Sequence, residues 1–116
     1  MPQKETMYDL PLAGFQKAFL RSLGQRLEPK LKIGKAGLGQ GFHTHLQQLL
    51  RANELVKVRF LDADRDERTA LCAAIADEGR CLWVGAVGHT ALFYRQHPNP
   101  AERTVALPEA PRQGGS

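Results

Sequence analysis

Cysteine is scarce in this chain, and so are the features of membrane and secreted proteins. Cys72 and Cys81 are the only two cysteines in 116 residues. Their spacing forms neither a CxxC pair nor a disulfide framework. Apolar neighbours make both read as small core residues. No apolar run approaches the roughly 18 residues of a membrane span, and no signal-peptide h-region follows the polar start MPQKETMYDL. The expectation is a soluble, cytoplasmic protein with free thiols and no membrane partner. Catalytic groupings are missing as well. Ser22 and Ser116 have no nucleophile-elbow context. His43 and His45 would diverge by about 200° on a helix and cannot share a metal. Asp62, Asp64 and Asp66 alternate in a loop without the glycine and distal glutamate of a calcium loop; turn formation and helix capping suit them better. His89 and His97 have no partner that the sequence identifies. These absences argue against an enzyme, a metal or a cofactor.

What is present is a core and a lopsided charge. Hydrophobic residues make up 42% of the chain, enough for one domain of ordinary size. The net charge is +4, but residues 17–60 hold nine Lys or Arg against Glu28 and Glu54, a local +7. The remaining residues sum to −3. Such an asymmetry suits a polyanion or an acidic partner on one side of the molecule.

The hydrophobic pattern gives the order α-β-α-β-α-β-β. Residues 1–11 read as a loose arm. Leu12, Phe15, Phe19, Leu23 and Leu27 recur at helical spacing until Pro29. Leu31–Ile33 is a short strand. Phe42, Leu46, Leu49 and Leu50 form the stripe of a helix from about Gln40 to Ala52. Val56, Val58 and Phe60 alternate with Lys57 and Arg59 in a strand over Leu55–Leu61. A third helix follows, capped by Asp64 or Asp66 and stopped by Gly79, with Leu71, Cys72, Ile75 and Ala76 on its buried side. Cys81–Val87 is apolar on both faces and is expected to be a central strand. Gly88-His89 fits a two-residue hairpin turn with Gly first, returning through Ala91–Arg95. Residues 97–116, with four prolines, are expected to be a disordered tail. Each strand–helix–strand step implies a parallel pair with a right-handed crossover. The fold class is therefore α/β: a mixed four-stranded sheet with three helices.

Gly34-Lys35-Ala36-Gly37 lies between a strand and a helix. A loop there exposes backbone N–H groups beside the positive end of a helix, where phosphate binds. Glycine lets a ligand approach closely, and Lys35 adds a mobile cation. GxxG loops clamp nucleic-acid backbones in this way in KH domains. A nucleotide-hydrolysing P-loop does not fit, because Gln40 stands where that pattern needs Lys. A dinucleotide fingerprint fails too, because Phe42 stands where its third glycine belongs.

Four segments in order, LKIGKAGLGQGF, ELVKVRF, DRDERTALCAAIADEG and VGAVGHTALFYR, resemble the CRM (chloroplast RNA splicing and ribosome maturation) domain. The stand-alone bacterial YhbY-like proteins are the most similar form, and the resemblance runs from about Leu12 to Gln96. It implies a fold like the C-terminal domain of translation initiation factor three and RNA binding without catalysis. It also implies association with precursors of the large ribosomal subunit. The family's loop positions fall on Gly34, Lys35, Ala36 and Gly37. Gly39 stands where a Thr or Ser often caps the second helix, His89 where a Lys is common, and His43, His45, Gln47 and Gln48 where acids are common.

The basic patch expected to support the loop comprises Lys30 and Lys32, extended by Lys17 and Arg21. Lys57 and Arg59, on one strand face, contact phosphate or protect a sheet edge. Trp83, Phe93 and Tyr94 are the aromatic candidates for stacking on bases; core packing is the expectation for Trp83, and Tyr94 stands evenly between the two because its hydroxyl wants a polar end. The leading expectation is a monomer with a domain over 12–96 that binds ribosomal RNA. The alternative is a protein-interaction module docking an acidic partner through the same basic face.

Overall fold

Alternation of Val56, Val58 and Phe60 with Lys57 and Arg59 is realised in the strand around which the molecule is built. The computed structural model describes residues 12–34 and 38–108. In chain order it contains α1 (Gly14–Gly24), β1 (Leu31–Ile33), α2 (Gln40–Asn53), β2 (Leu55–Phe60), α3 (Arg65–Gly79), β3 (Leu82–Val87) and β4 (Thr90–Tyr94). The α-β-α-β-α-β-β order and the mixed four-stranded sheet are as the sequence implies. Among the described residues no helix is long and apolar enough to cross a membrane.

The strand order is β1-β2-β4-β3. β1 and β2 run parallel, with Leu31 opposite Val58 and Ile33 opposite Phe60. β4 is antiparallel to β2 and to β3. The hairpin thus returns between β2 and β3, so these two are not neighbours as a simple crossover would make them. β3 is an edge strand and not the expected central one, and Val87 is 72% exposed. The doubly buried strand is β4, in which Ala91, Leu92, Phe93 and Tyr94 are all buried. Both strands are apolar runs, and hydrophobicity alone does not rank them. The turn has Gly88 at φ 58° and no positive φ at His89, with Val87 opposite Thr90. That is the expected two-residue hairpin with Gly first.

Side-chain alternation divides the sheet into two cores. On one face α2 and α3 bury Leu46, Leu50, Cys72 and Ile75 against Val56, Val58, Phe60 and Phe93. Asp64 caps α3: its carboxylate accepts the N–H of Glu67 at 2.8 Å, and Glu67 Oε1 accepts the N–H of Asp64 at 2.8 Å. His43 is half-buried and pairs with Glu78 of α3 at 3.0 Å.

On the other face Leu20 is fully buried with Leu55, Val84, Leu92 and Tyr94. The α1 stripe is rotated from the expected one. Leu20 leads it, Phe15 is 40% exposed, and Leu27 lies beyond the helix end. Gly24 explains the close approach: a Cβ there would stand 2.6 Å from Leu92 Cδ2 and 3.0 Å from Leu92 Cγ.

The tail expected to be disordered is ordered over residues 97–108. It makes a short 3-10 helix, Pro100–Glu102, and lays Val105 and Leu107 on the second core. A buried carboxylate holds it. Glu54 Oε1 accepts the N–H groups of Thr104 and Val105, each at 2.8 Å. Glu54 Oε2 accepts the N–H of His97. Gln16 Nε2 of α1 donates to the Pro108 carbonyl at 3.0 Å.

Candidate nucleic-acid interface

α1 and the C-terminal segment leave part of the second sheet face open. On that part Lys32 of β1 stands directly beside Arg59 of β2, and Arg59 stands beside Thr90 of β4. Lys32 and Arg59 are both exposed. Among the described residues neither enters an ion pair. Like charges on directly paired strand positions oppose each other, so the fold gains nothing from this row.

The row continues into a groove of about 530 Å³ between α1 and the β3–β4 hairpin, lined by Arg21, Gln25, Lys57, Val87 and Thr90. Arg21 Nη1 donates to the Val84 carbonyl at 3.2 Å, and its stem lies where a Cβ on Gly85 would stand, 2.7 Å away. Lys57 is tied more firmly. Its Nζ donates to the carbonyls of Gly24 at 3.0 Å and Leu27 at 3.1 Å. It thus caps the C-terminus of α1, where a cation is favoured. β2 is an inner strand, so neither Lys57 nor Arg59 guards a sheet edge. Lys30 is exposed at the start of β1 and its N–H donates to the Lys57 carbonyl at 3.0 Å. Lys17 is exposed on α1. The structure therefore brings Lys32, Arg59, Arg21 and Lys57 to one face.

Gly34 leaves β1 one residue beyond Ile33 and is exposed. Lys35, Ala36 and Gly37 lie outside the described residues. Neither backbone nor packing demands glycine at 34: its φ is not positive, and a Cβ there would meet nothing within 4 Å. Gly39, at the N-cap of α2, and Gly41 are equally open. No side chain caps α2, so its first amides face outward without a competitor. On the other side of Gly34 an open groove is lined by Asp62 and Glu67.

Trp83 corrects the sequence reading. It is 38% exposed on the β3 edge and not in the core. Tyr94 is fully buried. Burial first and the Glu54 carboxylate second push its hydroxyl up to about 12. Glu54, the most constrained polar residue of the fold, carries no signal in the sequence beyond its place after a helix.

The chain matches the CRS1 / YhbY (CRM) domain over residues 12–95. It is 36% identical over 85 residues to a Pseudomonas aeruginosa protein named a probable RNA-binding protein, covering 73% of this chain and 82% of that one. It is 31% identical over 97 residues to a Bacillus subtilis protein, YqeI, with the same description, covering 84% of this chain and 99% of the relative. The solution structure of a hypothetical protein from Staphylococcus aureus superposes with a TM-score of 0.72 at 30% identity. That match covers 84% of this chain and 100% of the other.

Proposed function

The chain belongs to the CRS1 / YhbY (CRM) domain family, and from that premise we propose that it binds structured RNA through the open sheet face and the glycine loop. The observation that carries this reading is the Lys32–Arg59 pair. Two exposed cations stand side by side with no carboxylate between them. That costs the isolated protein stability and is offset when a phosphate lies across both. Arg21, Lys30 and Lys17 extend the field. Lys57 serves it indirectly by holding the end of α1 in place.

Gly34, Lys35, Ala36 and Gly37 supply the second contact. The glycine at 34, which the fold does not need, leaves room for a backbone phosphate near the uncapped start of α2. Binding is electrostatic and weakly selective for sequence, because phosphate contacts position an RNA and do not specify it. The shape of the RNA selects the site.

The target is ribosomal RNA in precursors of the large subunit, in the cytoplasm, and the protein acts as a monomer without catalysis. Resemblance to the stand-alone bacterial members supports this part. Crosslinking to RNA in cells, with ribosome fractionation in parallel, tests it. Recovery of large-subunit RNA is the expected result. Recovery of acidic protein partners with no RNA above background would replace this reading with a protein-docking one.

A further inference from the structure

The chain's single tryptophan lies away from the basic row, on the opposite face of the sheet. With Phe60, Arg65, Arg68, Thr69 and Ala86, Trp83 lines an open cleft of about 540 Å³ between α3 and the β3–β4 hairpin. A β-bulge places it there. Trp83 is opposite Phe93, but Gly85 is already opposite Leu92. The extra residue, Val84, is buried with Leu20 on the far face. Bulges at sheet edges re-aim side chains; this one seats Val84 in the core and leaves the indole 38% exposed.

The cations in the cleft are ordered to match. Arg65, Arg68, Thr69 and Cys72 share one face of α3. Arg68 Nη1 donates to the Ala63 carbonyl at 2.8 Å and meets His89 Nδ1 at 3.3 Å. A guanidinium only donates, so that His89 nitrogen is the acceptor. These contacts fix the guanidinium plane and leave several of its five N–H groups free. Arg65 stands one turn earlier, exposed at the start of α3. A partly exposed indole in one cleft with a held and an exposed guanidinium matches a stacked base with its phosphate. A carboxylate ligand would have no use for the indole.

We propose that this cleft takes one unpaired nucleotide of the bound RNA, its base stacked on Trp83 and its phosphate on Arg65 and Arg68. The proposal rests on the RNA-binding reading and deepens it. The basic row holds a helical backbone, and the cleft selects RNA with a base free to leave its stack.

Trp83 is its own reporter, because no other tryptophan contributes to the emission. A short single-stranded oligoadenylate, whose bases are unpaired, should quench its fluorescence saturably, and a blunt RNA duplex should not. By anisotropy of end-labelled oligoadenylate, Trp83→Ala should weaken binding about tenfold. Trp83→Phe should retain most of it, and Arg65→Ala, at an exposed side chain, should weaken it with the melting temperature held. Oligoadenylate binding that leaves Trp83 emission unchanged, or Trp83→Ala binding oligoadenylate as tightly as wild type, overturns the cleft. Two further variants separate the cleft from the row. If Lys32→Glu with Arg59→Glu abolishes duplex binding while Trp83 never responds, the row stands and the cleft falls. If oligoadenylate quenches Trp83 while that double variant binds duplex as wild type does, the cleft stands and the row falls.

Discussion

Glu54 Oε2 accepts the backbone N–H of His97 at 2.6 Å, which ties the last described segment to the turn after α2. With Thr104 and Val105 on Oε1, one wholly buried carboxylate satisfies three backbone donors. Burying a charge is tolerated only with such partners. Glu54→Ala strands the three N–H groups, each worth about 1–3 kcal/mol when left unpaired. A loss of about 3 kcal/mol or more is expected in urea unfolding. Glu54→Gln should lose less, because its carbonyl oxygen still accepts while its NH2 faces a donor. Amide exchange over residues 97–108 should quicken in both. A Glu54→Ala protein with the wild-type urea midpoint would mean that packing of Val105 and Leu107 alone holds the segment.

Lys57 and Lys32 lie on the same face but are expected to respond differently. Lys57→Met keeps the apolar stem and removes the ammonium from the Gly24 and Leu27 carbonyls. Losing that cap should cost about 1 kcal/mol and lower the melting temperature by a few degrees, with RNA affinity little changed in the folded range. Lys32→Glu should hold or slightly raise the melting temperature, because it replaces the Lys32–Arg59 repulsion with an attraction, and should weaken RNA binding. The opposite pattern would make Lys57 the phosphate contact and Lys32 a bystander.

The local pattern of this fold is legible in its residues, and the long-range pattern is not. Leu31 and Ile33, then Leu46 and Leu50, then Val56, Val58 and Phe60, declare their buried faces through spacing alone, and all of them are core. Asp64 three residues before Glu67 announces a capping box. Strand order is set by where a hairpin finds room. Nothing in Leu82–Val87 against Thr90–Tyr94 says which strand is inner. Lys57 and Glu54 look like ordinary surface charges until the fold brings Gly24 and His97 to them. Residues 97–108 carry no periodicity of their own, and what holds them is one carboxylate about 50 residues away in sequence. Of the candidate interface, the basic residues were legible as a list. Their division into a free pair, Lys32 and Arg59, and tied ones, Arg21 and Lys57, belongs to the tertiary structure.

The salt dependence of binding counts the phosphate contacts. Each neutralised phosphate adds roughly 0.7–0.9 to the magnitude of the slope of log K against log salt. Lys32→Ala and Arg59→Ala should each flatten that slope by about one and weaken binding evenly across RNA sequences. Lys35→Glu should abolish RNA binding with unchanged thermal stability. Slopes unaltered in the first two variants would remove the sheet face from the interface. Wild-type binding by the third would remove the loop.

Alkaline pH should destabilise the protein through groups in its two cores. Burial pushes the Cys72 thiol up to about 11, against a smaller opposing pull from Arg68. It pushes Cys81 up to about 12, opposed by Arg95. Tyr94 also stands at about 12. All three are neutral when protonated, and burial favours the neutral form. In the unfolded chain the thiols ionise near their ordinary value of 9.0. Above that pH the unfolded state sheds protons that the folded state keeps, so stability falls as pH rises. Their contribution is complete below about pH 9 and is lost progressively as pH climbs towards the folded values of about 11 and 12. Urea midpoints measured along that range should be level up to about pH 9 and decline beyond it, and Cys81→Ala should show a shallower decline. Native thiols should also react slowly with a disulfide reagent at neutral pH and rapidly once urea is added. A midpoint that stays level through pH 11, or fast native labelling at neutral pH, would mean that the two thiols are not held protonated by the core around Phe93 and Ile75.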